Sequence, residues 1–230
     1  MIPIRDTIRS RSAPVVTVAL IIVNAMVFFH EIGLGPYLEK FVYAYGLIPR
    51  RFVYWPGDPL DPLRYLPIFT SMFWHGGWLH LISNMLYLWI FGDNVEDRLG
   101  HLRYLLFYFV AGAAAGLTQV ALNPNSALPT VGASGAIAGV LGAYLVSFPR
   151  SRVLTLIPII IFPWFVEIPA FFYLAFWFIL QLLEGLGSLG MPETGGVAVW
   201  AHVGGFIAGV VLVKLLQPPR SRARPLGVPP

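Results

Sequence analysis

The chain has 230 residues, of which 57% are hydrophobic, 11% are charged and none is cysteine. A soluble domain carries about a quarter charged residues, so this composition excludes an ordinary soluble protein and favours one embedded in a lipid bilayer. The absence of cysteine excludes disulfides, thiolate catalysis and cysteine-ligated zinc. The net charge of +4 does not indicate nucleic-acid binding, because the arginines lie at the two termini and in short loops.

Six apolar segments are candidates for membrane-spanning helices, for which a full crossing needs about 20 residues. They cover residues 14–32, 78–91, 102–122, 133–148, 169–183 and 197–216. The predicted fold class is an all-α membrane protein with a six-helix transmembrane bundle. Several segments are short, which indicates helices that begin inside the protein, below the membrane surface. We divide the chain into a cytoplasmic segment 1–13, one domain 14–217 and a basic, proline-rich cytoplasmic tail 218–230.

The basic residues predict the orientation, because cytoplasmic loops of membrane proteins carry an excess of lysine and arginine. With the N-terminus inside, eleven of the 15 basic residues are cytoplasmic, and the external ones are Lys40, Arg50, Arg51 and Arg64. Both termini are therefore expected in the cytoplasm. The N-terminal segment has no signal-peptide cleavage pattern and no transit peptide is apparent, so we expect a multi-pass protein of the plasma membrane.

Two long connections need separate interpretations. Residues 33–74 form an external loop rich in proline and aromatic residues, which suits a structure lying partly in the membrane interface. The apolar segment 153–169 contains Pro158, Pro163 and Pro169, which argue against one straight helix. We interpret it as an interfacial or re-entrant piece.

Polar side chains occur at similar depth in three of the spans, where such groups are costly and indicate functional sites. His80 lies 13 residues before Asp93, Ser134 lies 16 before Arg150, and His202 lies 12 before Lys214. At about 1.5 Å per residue they are roughly 20, 24 and 18 Å from the cytoplasmic side of a core about 30 Å thick. The three groups therefore share one outer layer that faces the external side.

Small residues predict that spans four and six pack closely. Gly132, Gly135, Ala138 and Gly139 share one face of span four, and Ala201, His202, Gly205 and Gly209 share one face of span six. Small residues at this spacing let membrane helices approach each other. Serine is common at such contacts for packing alone, so Ser134 gains a catalytic interpretation only because His202 lies at matching depth.

This set of residues can perform acyl transfer. A serine hydroxyl needs a base, and His202 is the one histidine in the last four spans. No Asp or Glu lies in spans four or six, so we predict a dyad of Ser134 and His202. His80, Asn84 and the Ser134 amide can donate hydrogen bonds to an oxyanion. Gly132 leaves room for a substrate backbone.

Four motifs occur in order along residues 69–209. They are His75, His80 and Asn84 in the second span, the turn 94–100, the sequence Gly132-Ala133-Ser134-Gly135, and Ala201-His202 followed by Gly205 and Gly209. In this combination the chain resembles the rhomboid intramembrane serine proteases. His75 is expected to be structural, and Glu96 and Arg98 are expected to brace a cytoplasmic turn.

The resemblance implies a catalytic dyad of Ser134 and His202 and an oxyanion site formed by His80, Asn84 and the Ser134 amide. It further implies an external loop lying sideways in the outer leaflet, and a gate and cap made by helix five and residues 186–196. Substrates would be transmembrane segments of other proteins in the same bilayer. No cofactor, metal or nucleic acid would be needed, and the oligomeric state stays open.

Two departures from the family pattern are present. The family often carries an aromatic residue four positions after the serine, stacked on the base, but this chain has Ala138 there. Some other group must therefore orient His202. A Trp-Arg pair common in the family's first external loop is also missing, and Arg64 is spaced differently, so it receives no role.

Two other classes of function were weighed. A rhomboid-like pseudoprotease would bind transmembrane clients without cleaving them, and it would be expected to lack the serine or the histidine, both of which are retained. A small transporter or channel would place polar residues at several depths along a path. Here the polar residues lie in one outer layer, which favours the protease.

Overall fold

A computed structural model describes residues 1–159, 162–188 and 198–218. In chain order the elements are β1 Ile2–Asp6, α1 Val15–Gly33, α2 Leu38–Tyr45, α3 Pro49–Val53, α4 Pro62–Thr70, α5 Trp78–Leu99, α6 His101–Leu122, α7 Ser134–Ser147, β2 Arg152–Ile159, β3 Phe162–Pro169, α8 Ala170–Ser188 and α9 Val199–Leu216. Most of the expected cap, residues 189–196, and the tail 219–230 lie outside the described residues.

The protein is mostly helical and several of its helices can cross a membrane. Helices α1, α6, α8 and α9 are long and apolar enough to do so, and α7 is a shorter apolar helix. Each of the six predicted segments corresponds to a helix, and α5 continues to Leu99, beyond its predicted end at residue 91. The expectation of a predominantly helical membrane protein is confirmed.

Helix α7 is the centre of the bundle. It has 14 residues, so it is about 21 Å long and shorter than the membrane core. Residues 135–144 are all buried, and the helix packs against α5, α6, α8 and α9. A helix that is apolar on every side is typically surrounded by protein. Ser134, its first residue, therefore begins the helix inside the bundle, as the short predicted span suggested.

Glycines bring the backbones of α7 and α9 into contact. A Cβ atom on Gly205 would lie 2.0 Å from the carbonyl oxygen of Gly135, and one on Gly209 would lie 1.9 Å from that of Gly139. No side chain can occupy either position. The prediction that these two helices pack through small residues is confirmed.

Within the described residues, the segment 153–169 forms two paired strands, β2 and β3, and its interfacial or re-entrant position in the membrane stays a prediction. Strand β2 pairs antiparallel with β3, with Pro158 opposite Pro163, and β1 pairs with the other edge of β2. Pro163 lies on the edge strand β3, and Pro158 lies beyond Leu156, the last residue of β2 that pairs with β1, so each proline is at an edge where no neighbouring strand needs its missing amide hydrogen. This small sheet was not part of the predicted all-α class.

Residues 33–74, the predicted external loop, form an ordered structure built from α2, α3 and α4. The Arg51 guanidinium donates hydrogen bonds to the carbonyl of Tyr43 and, at 3.0 Å, to that of Gly46. Arg64 donates from Nε to the carbonyl of Phe52 at 3.0 Å and lies over its ring at 5.0 Å. Both arginines stabilise the loop by donating hydrogen bonds to its own backbone carbonyls.

Glu96 braces the end of the bundle where α5 meets α6 and the start of α1, as expected from the sequence. Its buried carboxylate accepts hydrogen bonds from the amides of Val16 and Thr17, each at 2.8 Å, and from Thr17 Oγ1 at 2.7 Å. His101 Nδ1 lies 2.6 Å from the same carboxylate. One side chain thus caps the start of α1 and fixes the turn between α5 and α6. Arg98 contributes a hydrogen bond to Gln217 at 3.0 Å.

Asp6, at the end of β1, predicts a pH dependence of stability. Its carboxylate accepts hydrogen bonds from Asn94 Nδ2 at 2.9 Å and from the hydroxyl of Tyr144. Burial is the largest effect and raises the pKa of Asp6 from 3.8 to about 6. The hydrogen bond from Tyr144 lowers this pKa, and the nearby charge of Asp93 raises it. The folded state therefore binds this proton more tightly than the unfolded state does. The contribution of Asp6 to stability is most favourable below about pH 4 and declines as the pH rises to about 6.

The measurement is the apparent unfolding midpoint of the wild type and of Asp6→Asn from pH 4 to pH 7. Because Asp6 is only partly buried, we expect the wild type to lose about 1 kcal/mol relative to the variant across this range. A difference between the two proteins that stays constant with pH would contradict the prediction.

Candidate active site

Ser134 is the first residue of α7 and is partly accessible. The first amides of a helix have no acceptor within the helix, so the Ser134 N–H points out of the helix end. Gly132 precedes it with a φ of +125°, a conformation that side-chain-bearing residues rarely adopt. The backbone thus turns sharply just before the hydroxyl.

Backbone hydrogen bonds from the predicted external loop hold residues 130–132, which lead to Ser134. Leu47 and Thr130 exchange two backbone hydrogen bonds, of 3.1 and 2.8 Å. The Gly132 amide donates to the carbonyl of Ser71 at 2.8 Å. The Gly132 amide is therefore already used, whereas the Ala133 and Ser134 amides have no hydrogen-bond partner among the described residues.

His202 is buried in the first turn of α9, and that turn faces the first turn of α7. A Cβ atom on Gly135 would lie 3.8 Å from both the Cβ and the carbonyl oxygen of Ala201. The residue after the serine therefore touches the residue before the histidine. Within the described residues no hydrogen bond joins Ser134 Oγ to His202. Such contacts are often long without substrate and shorten when it binds.

A glutamine of α6 fixes the start of α9. Gln119 is buried and its side-chain oxygen accepts a hydrogen bond from the Ala201 amide at 3.2 Å. The same face of α6 fits Gly204 closely, since a Cβ atom there would lie 2.2 Å from Thr118 Oγ1. The position of His202 along the bundle is therefore set from two neighbouring helices, α6 and α7.

Two residues of α8 contact the other side of His202. Nδ1 of the imidazole is hydrogen-bonded to Oε1 of Gln181. The Trp177 ring lies 5.8 Å from the imidazole, centre to centre, at an angle of 37°. These groups supply the contact that Ala138, which is fully buried, cannot. Sequence reasoning missed both, although Gln181 was visible as an uncharged polar residue inside an apolar span.

His80 and Asn84 lie one turn apart on α5, as predicted. His80 Nδ1 accepts a hydrogen bond from the Gly76 amide at 3.3 Å, so in a neutral ring Nε2 carries the proton. A Cβ atom on Gly132 would lie 2.7 Å from His80 Nε2 and 3.6 Å from Ser134 Oγ. A donor and the hydroxyl therefore converge on one small space. Asn84 is buried, and its Nδ2 has no hydrogen-bond partner among the described residues.

His75 is structural, as the sequence indicated. Its amide donates to the carboxylate of Glu31 on α1, with distances of 3.1 and 3.2 Å to the two oxygens. Its Nδ1 lies 3.2 Å from the carbonyl of Phe73, and its ring packs edge-on against His80 at 5.1 Å. His75 thus joins the external loop to α1 and supports the ring of His80. In the described part of the chain, no three His, Asp or Glu side chains are grouped as metal ligands.

Gly132→Ala is predicted to damage the site. The alanine would have to adopt a φ of +125°, and its Cβ would displace the His80 ring. We expect any hydrolysis that depends on Ser134 to fall by about tenfold or more, because the oxyanion donor moves. The matched control is Gly100→Ala, where φ is +80° but the added atom meets nothing within 4 Å. Equal rates in the two variants would contradict the prediction.

Comparison with known proteins gives one consistent family. The sequence model of the Rhomboid domain matches residues 62–219. RHOMBOID-like protein 5 of Arabidopsis thaliana is 32% identical over 70% of this chain and 48% of its own length. Rhomboid protein 1, mitochondrial, of Saccharomyces cerevisiae is 29% identical over 89% of the chain and 55% of its own length.

The name of a third relative includes the word protease. Rhomboid-like protease 5 of Toxoplasma gondii is 35% identical over 61% of this chain, although the match covers only 15% of that protein. The chain spans about half the length, or less, of the curated relatives it matches. The family match includes every candidate residue of the site, from His75 to His202.

Proposed function

This chain belongs to the rhomboid family, and on that premise we propose that it is an intramembrane serine endopeptidase. The observation that carries the proposal is the convergence around Gly132. His80 Nε2 and Ser134 Oγ both lie within 3.6 Å of one point there, while the turn that carries His202 packs against the start of α7. A nucleophile, a base and an oxyanion donor on three different helices are the parts that peptide hydrolysis needs.

In the proposed reaction Ser134 Oγ attacks the carbonyl carbon of the scissile peptide bond while His202 takes its proton at Nε2. The oxyanion of the tetrahedral intermediate accepts hydrogen bonds from His80 Nε2–H, Asn84 Nδ2–H and the Ser134 amide. The C–N bond then breaks and His202 gives its proton to the leaving amine. Water, deprotonated by His202, hydrolyses the acyl-enzyme and regenerates the Ser134 hydroxyl. The chemistry needs no cofactor.

The proposed substrates are transmembrane segments of other proteins. The predicted depth of Ser134 supports this, because a nucleophile below the membrane surface is placed to meet chains that lie in the bilayer. We propose a six-span topology formed by α1, α5, α6, α7, α8 and α9, with α2 to α4 lying in the outer leaflet. The exposed side chains of Tyr54, Leu60 and Leu63 support an interfacial position for the loop.

The proposed location is the plasma membrane, with both termini in the cytoplasm and the site open to the external side. The distribution of basic residues supports this orientation, since Arg5, Arg9 and Arg11 precede α1 and Lys214 lies at the end of α9. Two relatives have the words mitochondrial and chloroplastic in their names, so the family match alone does not decide the location of this chain.

The test is a cleavage assay with the purified chain in detergent and in proteoliposomes, using a panel of single-span substrates. We expect cleavage products whose ends lie in or near the span, and labelling of the protein by a fluorophosphonate probe. The alternative, a pseudoprotease, would retain spans in a pull-down without cleaving any of them. That outcome, together with no labelling of folded protein, would overturn the proposal.

A further inference from the structure

Gln181 is a polar residue of α8 that touches the base of the proposed dyad. We propose that Gln181 is the positioning residue of His202: its side-chain carbonyl accepts the Nδ1–H, which leaves the Nε2 lone pair for the Ser134 proton. The inference rests on the proposed function, because a base needs orienting only if Ser134 is a nucleophile.

The fold places Gln181 on the inner face of α8. Four buried residues, Ala170, Tyr173, Leu174 and Gly185, mark this face, and Trp177 and Gln181 continue it at helical spacing. Gln181 is 11 residues beyond the start of the helix, so it lies about 17 Å along it. His202 is predicted to lie roughly 18 Å from the same side of the membrane, counted back along α9 from Lys214, so the two depths match.

The hydrogen bond selects one tautomer of His202. A neutral imidazole carries a single N–H, and the oxygen of an amide can only accept. With Gln181 Oε1 at Nδ1, the proton is held at Nδ1 and the lone pair is held at Nε2. The same oxygen can still accept from Nδ1 when His202 becomes imidazolium during the reaction. In the described parts of α7 and α9 no Asp or Glu is available for this role.

Packing around the ring supports the same orientation. Trp177, one turn before Gln181, lies against both His202 and Phe206, at 5.8 and 6.1 Å between ring centres. Phe178 stacks on Phe206 at 4.6 Å, which attaches this part of α8 to α9. The imidazole is therefore held by a hydrogen bond at its edge and an aromatic ring near its face. Both contacts come from α8, so the seating of α8 on α9 determines whether the base is oriented.

The experiment compares the wild type, Gln181→Leu and Gln181→Glu. Leucine removes the acceptor with similar volume, and glutamate keeps an acceptor at the same position. We expect Gln181→Leu to lower kcat and the rate of fluorophosphonate labelling by about 10- to 100-fold with little change in KM. Gln181→Glu is expected to restore most of the lost rate. The matched control is Gln217→Leu, which removes a glutamine that binds Arg98 at the cytoplasmic end.

A second readout does not depend on activity. Nitrogen NMR of protein labelled with ¹⁵N-histidine reports which imidazole nitrogen carries the proton. We expect His202 to be protonated at Nδ1 in the wild type and in Gln181→Glu, and to lose this preference in Gln181→Leu. A wild-type tautomer and kcat in Gln181→Leu would overturn the proposal, as would a Gln181→Glu variant no more active than Gln181→Leu. If the wild type neither cleaves nor labels, the proposed function fails, while the tautomer measurement still decides the role of Gln181.

Discussion

Ser134→Ala is expected to reduce cleavage of a transmembrane substrate to the background rate, a loss on the order of 10⁴-fold or more. Without Oγ there is no nucleophile to form the acyl-enzyme, and the oxyanion donors alone supply only a small residual acceleration. Labelling by the fluorophosphonate probe should disappear together with cleavage. The measurement is the initial rate with purified protein, beside gel fluorescence of the labelled chain.

The same substitution should leave the fold intact. Ser134 is partly accessible, and its hydroxyl makes no hydrogen bond among the described residues, so its removal leaves no partner unsatisfied. We expect the free energy of unfolding to change by no more than about 0.5 kcal/mol. The matched control is Ser147→Ala at the other end of α7, which should cleave at the wild-type rate. Substantial cleavage by folded Ser134→Ala would show that another nucleophile acts.

His202→Ala is expected to lower cleavage by about 10³-fold or more, because the serine hydroxyl then has no base to take its proton. Probe labelling should fall in parallel, since the probe reacts with the activated hydroxyl. The variant should also be less stable by about 1 to 3 kcal/mol, because Gln181 loses its partner and a cavity opens beside Trp177. Rates must therefore be normalised to the folded fraction.

Two further variants distinguish a loss of catalysis from a loss of stability. His202→Asn keeps a polar side chain for Gln181 but cannot act as a base at neutral pH, so it should be inactive although better folded than His202→Ala. His30→Ala changes an exposed histidine in the last turn of α1 and should retain full activity. Near-normal turnover in His202→Asn would mean that a different group is the base.

The candidate residues of the site could be singled out from the sequence because the bilayer makes polar groups conspicuous. Ser134, His202 and His80 are isolated polar side chains in apolar helices, and the rise of a helix gives their depth. The glycine spacing also identified the correct helix pair, since only small residues permit backbone contact. The packing of α7 with α9 was therefore readable from the chain alone, and the depth of the polar groups in the membrane stays a prediction.

The partners of His202 could not be predicted in the same way. Whether Gln181 faces the base or the lipid depends on the rotation of α8 about its axis, and an apolar helix gives no amphipathic pattern from which to read that rotation. The orientation of Trp177 could not be predicted either, because an aromatic residue can face the protein interior or the lipid. The replacement for the missing aromatic at Ala138 is thus a tertiary contact with a different helix.

The sheet of β1, β2 and β3 could not be predicted for a different reason. The residues of β2 and β3 are mostly apolar on both faces, apart from Arg152, Thr155 and Glu167, so they show no alternation of polar and apolar side chains that would indicate a strand. Its third strand is contributed by Ile2–Asp6, a segment distant in sequence. Local patterns cannot reveal such a pairing, and three prolines suggested an irregular segment instead.

The pairing of β1 with β2 also sets an order of events during synthesis. Ile2 lies opposite Leu156, 154 residues further along the chain. At about 5–20 residues per second the ribosome needs roughly 10–30 s to make the partner of the first strand. Because α1 to α7 lie between the two strands in the chain, β1 cannot pair with β2 until all seven helices have been synthesised. The first strand of this sheet to leave the ribosome therefore pairs only after the residues of α7 have left it.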